Sequence, residues 1–133
     1  KFQLSEFSES IHIKGGLLGH WAVWAQKAVS QLKRYRAHTD NDSLVPHDMI
    51  TLAFQVTDSN AALFDPSHNF AGCIAGIHEV LRRQGLLDGI WCLNPNESLS
   101  PGQSEEIDRV YAAYPHLNDD LFVAEHREKW LTP

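Results

Sequence analysis

The spacing of hydrophobic residues changes at a pair of glycines near the start of the chain. Phe2 to Ile13 alternates weakly and runs into Lys14, Gly15 and Gly16, which predicts a short strand that ends at a glycine turn. From Leu17 to Arg36 apolar residues recur every three or four positions, which predicts an amphipathic helix. The basic residues of this helix gather near its C-terminal end, where the helix dipole favours cations.

The segment from Pro46 to Thr57 fits two patterns. Its apolar residues have helical spacing, but around Phe54 they also alternate as in a strand. Pro46 at a first-turn position, followed by Asp48, favours the helix. The polar run Thr57 to Asn60 predicts a break immediately afterwards.

A helix start signal follows at Asp65 to Ser67. Apolar residues then recur at helical spacing: Phe70, Ile74, Ile77 and Leu81. Arg82 and Arg83 in the last turn and Gly85 as the left-handed cap residue predict where this helix ends. Small residues occupy its interior: Ala71, Gly72, Ala75 and Gly76. Because glycine destabilises a helix interior, we expect a neighbour to approach that face closely.

Two further helices are predicted in the last third of the chain. Ser100, Pro101 and Gln103 form a capping-box pattern, and Pro115 ends the apolar face that follows. Asn118 can cap a last helix that contains apolar residues and both signs of charge. The predicted fold is therefore mainly α, with one short N-terminal strand and about five helices. A lone strand leaves its backbone unpaired, so the chain either dimerises through it or belongs to something larger.

The composition fits one domain of an ordinary globular protein. Eleven Lys and Arg against seventeen Asp and Glu give a formal net charge of −6, which argues against nucleic-acid binding. No apolar stretch is long enough to cross a membrane, and the N-terminal residues lack a signal peptide's apolar segment. Cys73 and Cys92 lie in apolar contexts without CxxC spacing, which favours reduced, buried thiols. We therefore expect a cytoplasmic protein without membrane or nucleic-acid partners.

Charge is distributed unevenly along the chain. No acidic residue lies between Glu9 and Asp40, whereas five basic residues do: Lys14, Lys27, Lys33, Arg34 and Arg36. A basic helix that faces solvent or packs on an acidic neighbour explains this pattern. A phosphate-binding or nucleic-acid-binding patch is the alternative.

The eight histidines do not have the usual spacings of metal ligands. His78 and Glu79 begin like the zinc-protease helix motif, but Arg82 occupies the position of the second histidine. No Gly-x-Ser-x-Gly nucleophile elbow is present. We therefore expect neither a metal site nor a cofactor.

Residues near the glycine pair have both a chemical and a structural explanation. Gly15 and Gly16 can cradle an anion between a strand and a helix, or simply form a tight turn. Lys14 can form a Schiff base with a carbonyl substrate if burial lowers its pKa, or it is an ordinary surface lysine. His20 lies one helical turn from Trp24, a spacing more typical of a packed pair than of a catalytic one.

Four stretches of the chain carry a pattern known from one enzyme family. They are GGLLGHWAVW (residues 15–24), VTDSNAA (56–62), FAGCI (70–74) and GIHEVLRRQGLL (76–87). The last stretch, followed by Leu99–Ser100 and a helix with Glu105 and Glu106, is similar to that family's closing helices. Together these stretches resemble the C-terminal part of the dihydrodipicolinate synthase and N-acetylneuraminate lyase family.

The resemblance implies an eight-stranded α/β barrel followed by a small helical domain. This chain would correspond to the last βα unit and the C-terminal helical domain of such a TIM-barrel protein. Residues 1–40 are expected to hold the last barrel strand, Phe2–Lys14, and its helix, and residues 41–133 the helical domain. The small-residue face of the helix from Asn69 to Gln84 would pack on the barrel or on a neighbouring subunit.

The resemblance also implies a lyase or aldolase reaction of pyruvate or a related 2-oxo acid through a lysine Schiff base. That lysine belongs to the sixth barrel strand, so we expect no catalytic residue here, and the role is not transferred to Lys14. Because barrel active sites gather at the carboxyl ends of the strands, Lys14, Gly15 and Gly16 are expected at the substrate mouth. His20 is a candidate for its rim.

Two kinds of partner follow from the resemblance. The complete protein would bind a small 2-oxo acid, and this chain would associate with further copies of itself or with the remainder of the same polypeptide. The alternative is a non-enzymatic helical module for interaction or oligomerisation. Its docking surfaces would be the exposed strand edge and the small-residue helix.

Overall fold

The computed structural model describes residues 6, 11, 22–40 and 44–132. Most of this part is helical, in five helices: α1 (Ala25–Asp40), α2 (His47–Phe64), α3 (Cys73–Arg83), α4 (Gln103–Ala113) and α5 (Asp120–Leu131). One turn of 3-10 helix, Pro66–His68, connects α2 to α3. The prediction of a mainly helical chain with about five helices is therefore confirmed for the described part.

The predicted N-terminal strand, Phe2 to Ile13, lies outside the described residues except for Glu6 and Ile11. Residues 22–40 and 44–132 contain no strand. Among the helices described, none combines the length and the apolar character that a membrane span needs.

α1 begins at Ala25, later than the sequence pattern indicates. Trp24 has a left-handed backbone conformation with φ of 52°, which a continuous right-handed helix does not allow. Its ring is buried and meets the ring of Tyr111 edge to face, with 5.3 Å between centroids. The prediction of a helix from Leu17 is therefore wrong for residues 22–24. The left-handed backbone of Trp24, whose ring is packed in the core, is incompatible with a helix at this position.

α2 continues through the polar run Thr57–Asn60, where a break was predicted. The hydroxyl of Thr57 donates to the carbonyl oxygen of Ala53 at 2.9 Å, and that of Ser59 to the carbonyl oxygen of Gln55 at 2.9 Å. Each hydroxyl is thus satisfied by the helix backbone four residues earlier. The predicted break is wrong because these polar side chains bond within the helix instead of ending it.

α3 begins at Cys73, after the 3-10 turn and two residues with left-handed backbones, Asn69 and Phe70. Phe70 and Ile74 are exposed, so the apolar face predicted for this helix is only partly buried. The predicted end is confirmed: Gly85 has φ of 72°, and the N–H of Leu86 donates to the carbonyl of Leu81 at 2.9 Å. These are the features of a glycine-terminated helix.

Only one of the two hydrogen bonds of the predicted capping box is present at the start of α4. The N–H of Ser100 donates to Oε1 of Gln103 at 3.0 Å. The Ser100 hydroxyl does not return to α4 but donates to the carboxylate of Asp65 at 2.6 Å. The serine of this motif therefore connects two distant segments instead of closing its own helix.

The core lies between α2, α3 and α4 and includes residues just before α1 and α5. Its buried members are Val23, Trp24, Ala62, Leu63, Val80, Ile107, Val110 and Leu117. Burial raises the pKa of Tyr111, which packs against this cluster, to about 12. The phenol therefore stays protonated at neutral pH.

The small-residue face of α3 is covered from within the chain. A Cβ on Gly76 would lie 2.1 Å from the carbonyl oxygen of Leu63, and one on Gly72 would lie 2.0 Å from Oε1 of Gln103. The predicted close approach is confirmed. The expected neighbour is wrong, since the end of α2 and the start of α4 occupy this face where a barrel or a second subunit was expected.

Candidate functional site

The residues predicted at the substrate mouth, Lys14, Gly15, Gly16 and His20, lie outside the described part of the chain. Their expected places at the mouth and its rim therefore stay predictions. The division at residues 40 and 41 into a barrel end and a helical domain also stays a prediction.

An open, apolar groove lies between α1 and α2. It has a volume of about 490 Å³ and mostly apolar walls, which include Ala28, Leu32 and Tyr35 of α1 and Met49, Ala53 and Val56 of α2. Val45, in the connection between the two helices, closes one end and is 64% exposed. Clefts of this kind are suited to apolar side chains or to one face of a helix.

Two polar contacts lie at the end of the groove that Val45 lines. The guanidinium of Arg34 on α1 pairs with the carboxylate of Asp48 on α2. The imidazole of His38 contacts the carbonyl oxygen of Leu44. The first contact joins α1 to the first turn of α2, and the second joins α1 to the connection before α2.

The groove lies in basic surroundings. α1 carries Lys27, Lys33, Arg34 and Arg36, and its only acidic residue is Asp40, at its last position. Lys33 and Arg36 are exposed. α1, which holds the basic segment recognised in the sequence, forms one wall of the groove, but Lys27, Lys33, Arg34 and Arg36 are not among the residues that line it.

A buried carboxylate organises the segment between α2 and α3. Asp65 is only 3% exposed, and its two oxygens accept hydrogen bonds from the Gly72 N–H at 3.0 Å, the Ser100 hydroxyl at 2.6 Å and His68 Nδ1 at 2.6 Å. Burial alone would raise the pKa of Asp65, but the hydrogen bonds from Ser100, His68 and Gly72 outweigh it and hold this pKa below its usual range.

Gln103 connects to the same segment from α4. Its Nε2 donates to the carbonyl oxygens of Gly72 at 3.0 Å and of Ala62 and Leu63 at 3.3 Å. The carbonyls of Ala62 and Leu63 lie in the last turn of α2, where backbone carbonyls lack helical partners. The carbonyl of Gly72, just before α3, also accepts from the N–H of Gly76 at 2.8 Å. Asp65, Ser100, Gly72 and Gln103 form a polar cluster, called the hub below, which joins α2, α3 and α4.

Ion pairs cover the outer faces of the same three helices. Asp58 accepts two hydrogen bonds from Arg109 and one from the Tyr114 hydroxyl, all at 2.8 Å. Glu79, which is nearly buried, accepts from both Arg82 and Arg83 at 2.8 Å. The hydrogen bond from Arg109 lowers the pKa of Asp58, and the one from Arg82 lowers the pKa of Glu79. These carboxylates are held ionised in structural pairs, which makes them poor proton donors.

Metal and thiol chemistry have little support in the described part of the chain. No group of three or more His, Cys, Asp or Glu residues there is arranged to hold a metal ion. Arg82, at the position where a zinc-protease helix has its second histidine, is paired with Glu79. Burial raises the pKa of both thiols, Cys73 and Cys92, which disfavours the nucleophilic thiolate.

A second exposed apolar surface lies at the start of α3. Phe70 has φ of 64° and is 59% exposed, and Ile74 is exposed beside it. Both line a shallow cleft with residues 96–101. An aromatic residue with a left-handed backbone is uncommon and is held here by the hydrogen bond from its N–H to the carbonyl of Asp65 at 2.9 Å.

The described helices define a helical unit that is organised by the hub and carries an open apolar groove between α1 and α2. Sequence comparison gives no family: no family model, no curated protein and no solved structure matches this chain.

Proposed function

We propose that this chain is the C-terminal helical part of a Schiff-base lyase related to the dihydrodipicolinate synthase and N-acetylneuraminate lyase family. In this proposal the helices stabilise and assemble the enzyme, and the reacting lysine lies upstream of Lys1. The substrate of the complete protein is pyruvate or a related small 2-oxo acid.

The proposal depends on the positions, within the helices, of the stretches that resemble the family. Residues 56–62 supply a minor part of α2, and residues 70–74 and 76–87 supply most of α3. They include Gly72 and Gly76, the close-approach positions beside Gln103 and the end of α2. Ser100, in the Leu99–Ser100 pair of the resemblance, donates to Asp65 of the hub. A motif shared with a family's closing helices is expected to occupy such architectural positions.

The lysines of the described part support an upstream location for the nucleophile. There are three, and Lys33 and Lys129 are exposed while Lys27 is half-buried. A Schiff-base lysine reacts as the free amine, which burial in an apolar pocket favours. None of these three side chains has such surroundings.

Trapping with borohydride tests the proposal. The lysine amine attacks the ketone of pyruvate and water leaves to give an imine. Borohydride then adds hydride to the imine carbon, and solvent protonates the nitrogen. We expect no reduced adduct on the isolated chain by intact-mass spectrometry. The polypeptide read from the reading frame that runs into Lys1 should carry one adduct, on a lysine upstream.

Acetate in place of pyruvate is the matched control, because it lacks the ketone that the amine attacks. An adduct on Lys14 of the isolated chain would overturn the proposal. Absence of an adduct on the longer polypeptide would overturn it equally.

The second candidate is a non-enzymatic module for helical interaction or oligomerisation, and the open groove between α1 and α2 favours it. Size-exclusion chromatography with light scattering distinguishes the two. A folded chain of 15.0 kDa, or a small multiple of it, favours a self-sufficient module. Recovery of folded protein only together with the upstream polypeptide favours the C-terminal part of a barrel enzyme.

A further inference from the structure

We propose that a small cleft beside Asp119 binds a quaternary ammonium group. The cleft lies where the segment before α1, the end of α3 and α5 meet, and it shares no lining residue with the groove between α1 and α2. The site does not depend on the family assignment.

Two of the three buried carboxylates in the described part of the chain have a basic partner. Asp65 contacts the imidazole of His68 at 2.6 Å, and Glu79 pairs with two arginines of α3 at 2.8 Å. Such pairing is the rule, because burial removes the hydration of a charged group. The third buried carboxylate, Asp119, is the exception.

Asp119 accepts hydrogen bonds from neutral donors. They are the backbone N–H of Gln26 at 3.0 Å and Nε2 of Gln84 at 2.8 Å. No ion pair joins Asp119 to a Lys, Arg or His among the residues that the structure describes. The guanidinium of Arg127 comes near but donates to the backbone carbonyl of Gln84, at 3.4 Å. The negative charge of Asp119 therefore lacks a cation within this part of the chain.

A second carboxylate adds to the negative potential at this place. Oδ1 of Asp120 accepts from the same Nε2 of Gln84, at 2.9 Å. Two like charges on one amide nitrogen repel each other, so a cation beside them is favoured.

The cleft beside Asp119 has the size and the walls for a small organic cation. Its volume is about 160 Å³, room for roughly five water molecules. Its lining is mostly apolar and includes three aromatic residues, Trp24, Phe122 and Trp130. The ring centroids of Phe122 and Trp130 are 5.8 Å apart, with the rings inclined at 56°. Trp130 is 49% exposed, which places it at the opening of the cleft.

Aromatic walls around a carboxylate favour an organic cation over a metal ion. The face of an aromatic ring carries negative potential and attracts quaternary ammonium groups. A metal ion would need several ligand side chains, and the described part of the chain has no such group. A quaternary ammonium has no N–H to donate, so Asp119 can keep its bonds to Gln26 and Gln84 while the charge is neutralised.

Titration with choline, followed in the indole region of heteronuclear NMR spectra, tests the proposal. Trp130 lines the cleft, whereas Trp91 is exposed on the connection between α3 and α4. We expect saturable shifts of the Trp130 indole resonance and none of the Trp91 resonance, and Trp130→Phe and Trp91→Phe assign the two. Dimethylbutanol, in which carbon replaces the charged nitrogen of choline, is the matched control and should shift neither.

Variants measured by titration calorimetry locate the site. Asp119→Asn should weaken choline binding at least roughly tenfold, because it removes the charge but keeps an accepting oxygen. Trp130→Leu should weaken it roughly threefold to tenfold through loss of the ring face. Asp88→Asn and Trp91→Leu, at exposed positions outside the cleft, are the controls and should bind as the unaltered chain does. Circular dichroism checks that each variant is folded.

A peptide with a trimethyllysine side chain distinguishes the source of the cation. Tighter binding of the peptide than of choline assigns the site to a protein side chain, and choline binding at least as tight as the peptide's assigns it to a free compound. Absence of saturable Trp130 shifts at millimolar choline, equal binding of dimethylbutanol, or unchanged affinity of folded Trp130→Leu overturns the proposal.

Discussion

Asp65 combines a buried carboxylate with a backbone conformation that few residues adopt. Its φ is 55°, in the left-handed region where Asp and Asn are favoured among non-glycine residues. Its oxygens accept bonds from Gly72, Ser100 and His68, which belong to two separate segments of the chain. The side chain therefore fixes the turn after α2 and connects it to the start of α4.

Asp65→Asn should destabilise the fold in a pH-dependent way. Asn keeps the backbone preference but replaces one accepting oxygen with a donor, which we expect to cost about 2 kcal/mol of unfolding free energy at pH 7. Because the folded pKa of Asp65 is lowered, its contribution is present above pH about 4 and is lost as pH falls through the folded pKa. Urea unfolding at neutral and acidic pH measures both effects.

The difference in stability between the unaltered chain and Asp65→Asn should shrink on acidification. Asp88→Asn, at an exposed loop position, is the control and should be neutral at every pH. A difference that stays constant or grows as pH falls would contradict this role for Asp65.

Gly76→Ala should be strongly destabilising. The new Cβ would lie 2.1 Å from the backbone oxygen of Leu63, which cannot rotate away. We expect a loss of about 3 kcal/mol, at the upper end of overpacking effects, measured by chemical denaturation. Gly102→Ala is the comparison: its surroundings are open and only its φ of 81° opposes a side chain, so a cost of about 1 kcal/mol is expected. Equal costs at the two positions would argue against the close approach.

Some of these residue roles could be predicted from the sequence and others could not. Helix-interior glycines indicated a close neighbour, because glycine lowers helix stability unless packing needs it. The neighbour itself, Gln103, follows from a contact across 31 residues that no local pattern encodes. For the same reason only one of the two hydrogen bonds that the capping-box pattern predicts between Ser100 and Gln103 is present.

At the scale of the elements, one residue between α4 and α5 links three helices. Asp119 is 5% exposed. It accepts from the backbone N–H of Gln26 on α1 at 3.0 Å and from Nε2 of Gln84, just after α3, at 2.8 Å. The first turn of α1 and the first turn of α5 are thus attached to the end of α3 through one carboxylate.

Asp119→Ala should release the ends of α1 and α5 before the rest of the molecule. The change leaves the Gln26 N–H without its acceptor and removes one of two acceptors from Gln84, which we expect to cost about 2 kcal/mol. Hydrogen exchange by mass spectrometry should show faster exchange in the first turns of both helices. Exchange in residues 59–63, the part of α2 that lies in the core, should change less. Asp120→Ala is the control, because the Asp120 carboxylate also accepts a hydrogen bond from Gln84 but not the one from Gln26. Equal effects of the two changes would contradict the role of Asp119 in linking the helices.

The order of the five helices could be predicted from the sequence. The starts of α1 and α3, and the continuation of α2 through its polar run, could not. The polar run in α2 read as a break because hydroxyl and carboxyl side chains usually compete with the helix backbone. Here Thr57 and Ser59 bond to carbonyls within α2, and Asp58 pairs with Arg109 on α4. At Trp24, burial against Tyr111 outweighs the local helical pattern.

At the scale of the whole molecule, the hairpin of α1 and α2 divides into a core end and a groove end. Val23, Trp24 and Leu63 belong to the core, whereas the far half of α1 and the first turns of α2 line the open groove. Few buried contacts support this end, and local stability follows the density of such contacts.

Native-state hydrogen exchange should therefore follow a gradient along the hairpin. Amides in residues 33–39 and 50–53 are expected to exchange faster than those in residues 59–63, since the latter lie in the core. Uniform protection along α2 would contradict the division.

The candidate site was less accessible to sequence reasoning than the fold. The predicted mouth residues, Lys14 to Gly16 and His20, depend on a family resemblance and lie outside the described residues. The groove depends on how α1 and α2 approach each other, which periodicity does not specify. The basic run of α1 gave no signal of the groove, because its side chains are not among the residues that line it.

The long-range bonds of the hub have a consequence for synthesis on the ribosome. Asp65 and the carbonyls of Ala62 and Leu63 leave the exit tunnel well before Ser100 and Gln103, which supply their partners. Until then the end of α2 and the start of α3 have unpaired polar groups and an uncovered apolar face, so the nascent helices are open to proteases and chaperones. Emergence of Ser100 and Gln103 from the tunnel is thus the step that completes the hydrogen bonds of the hub.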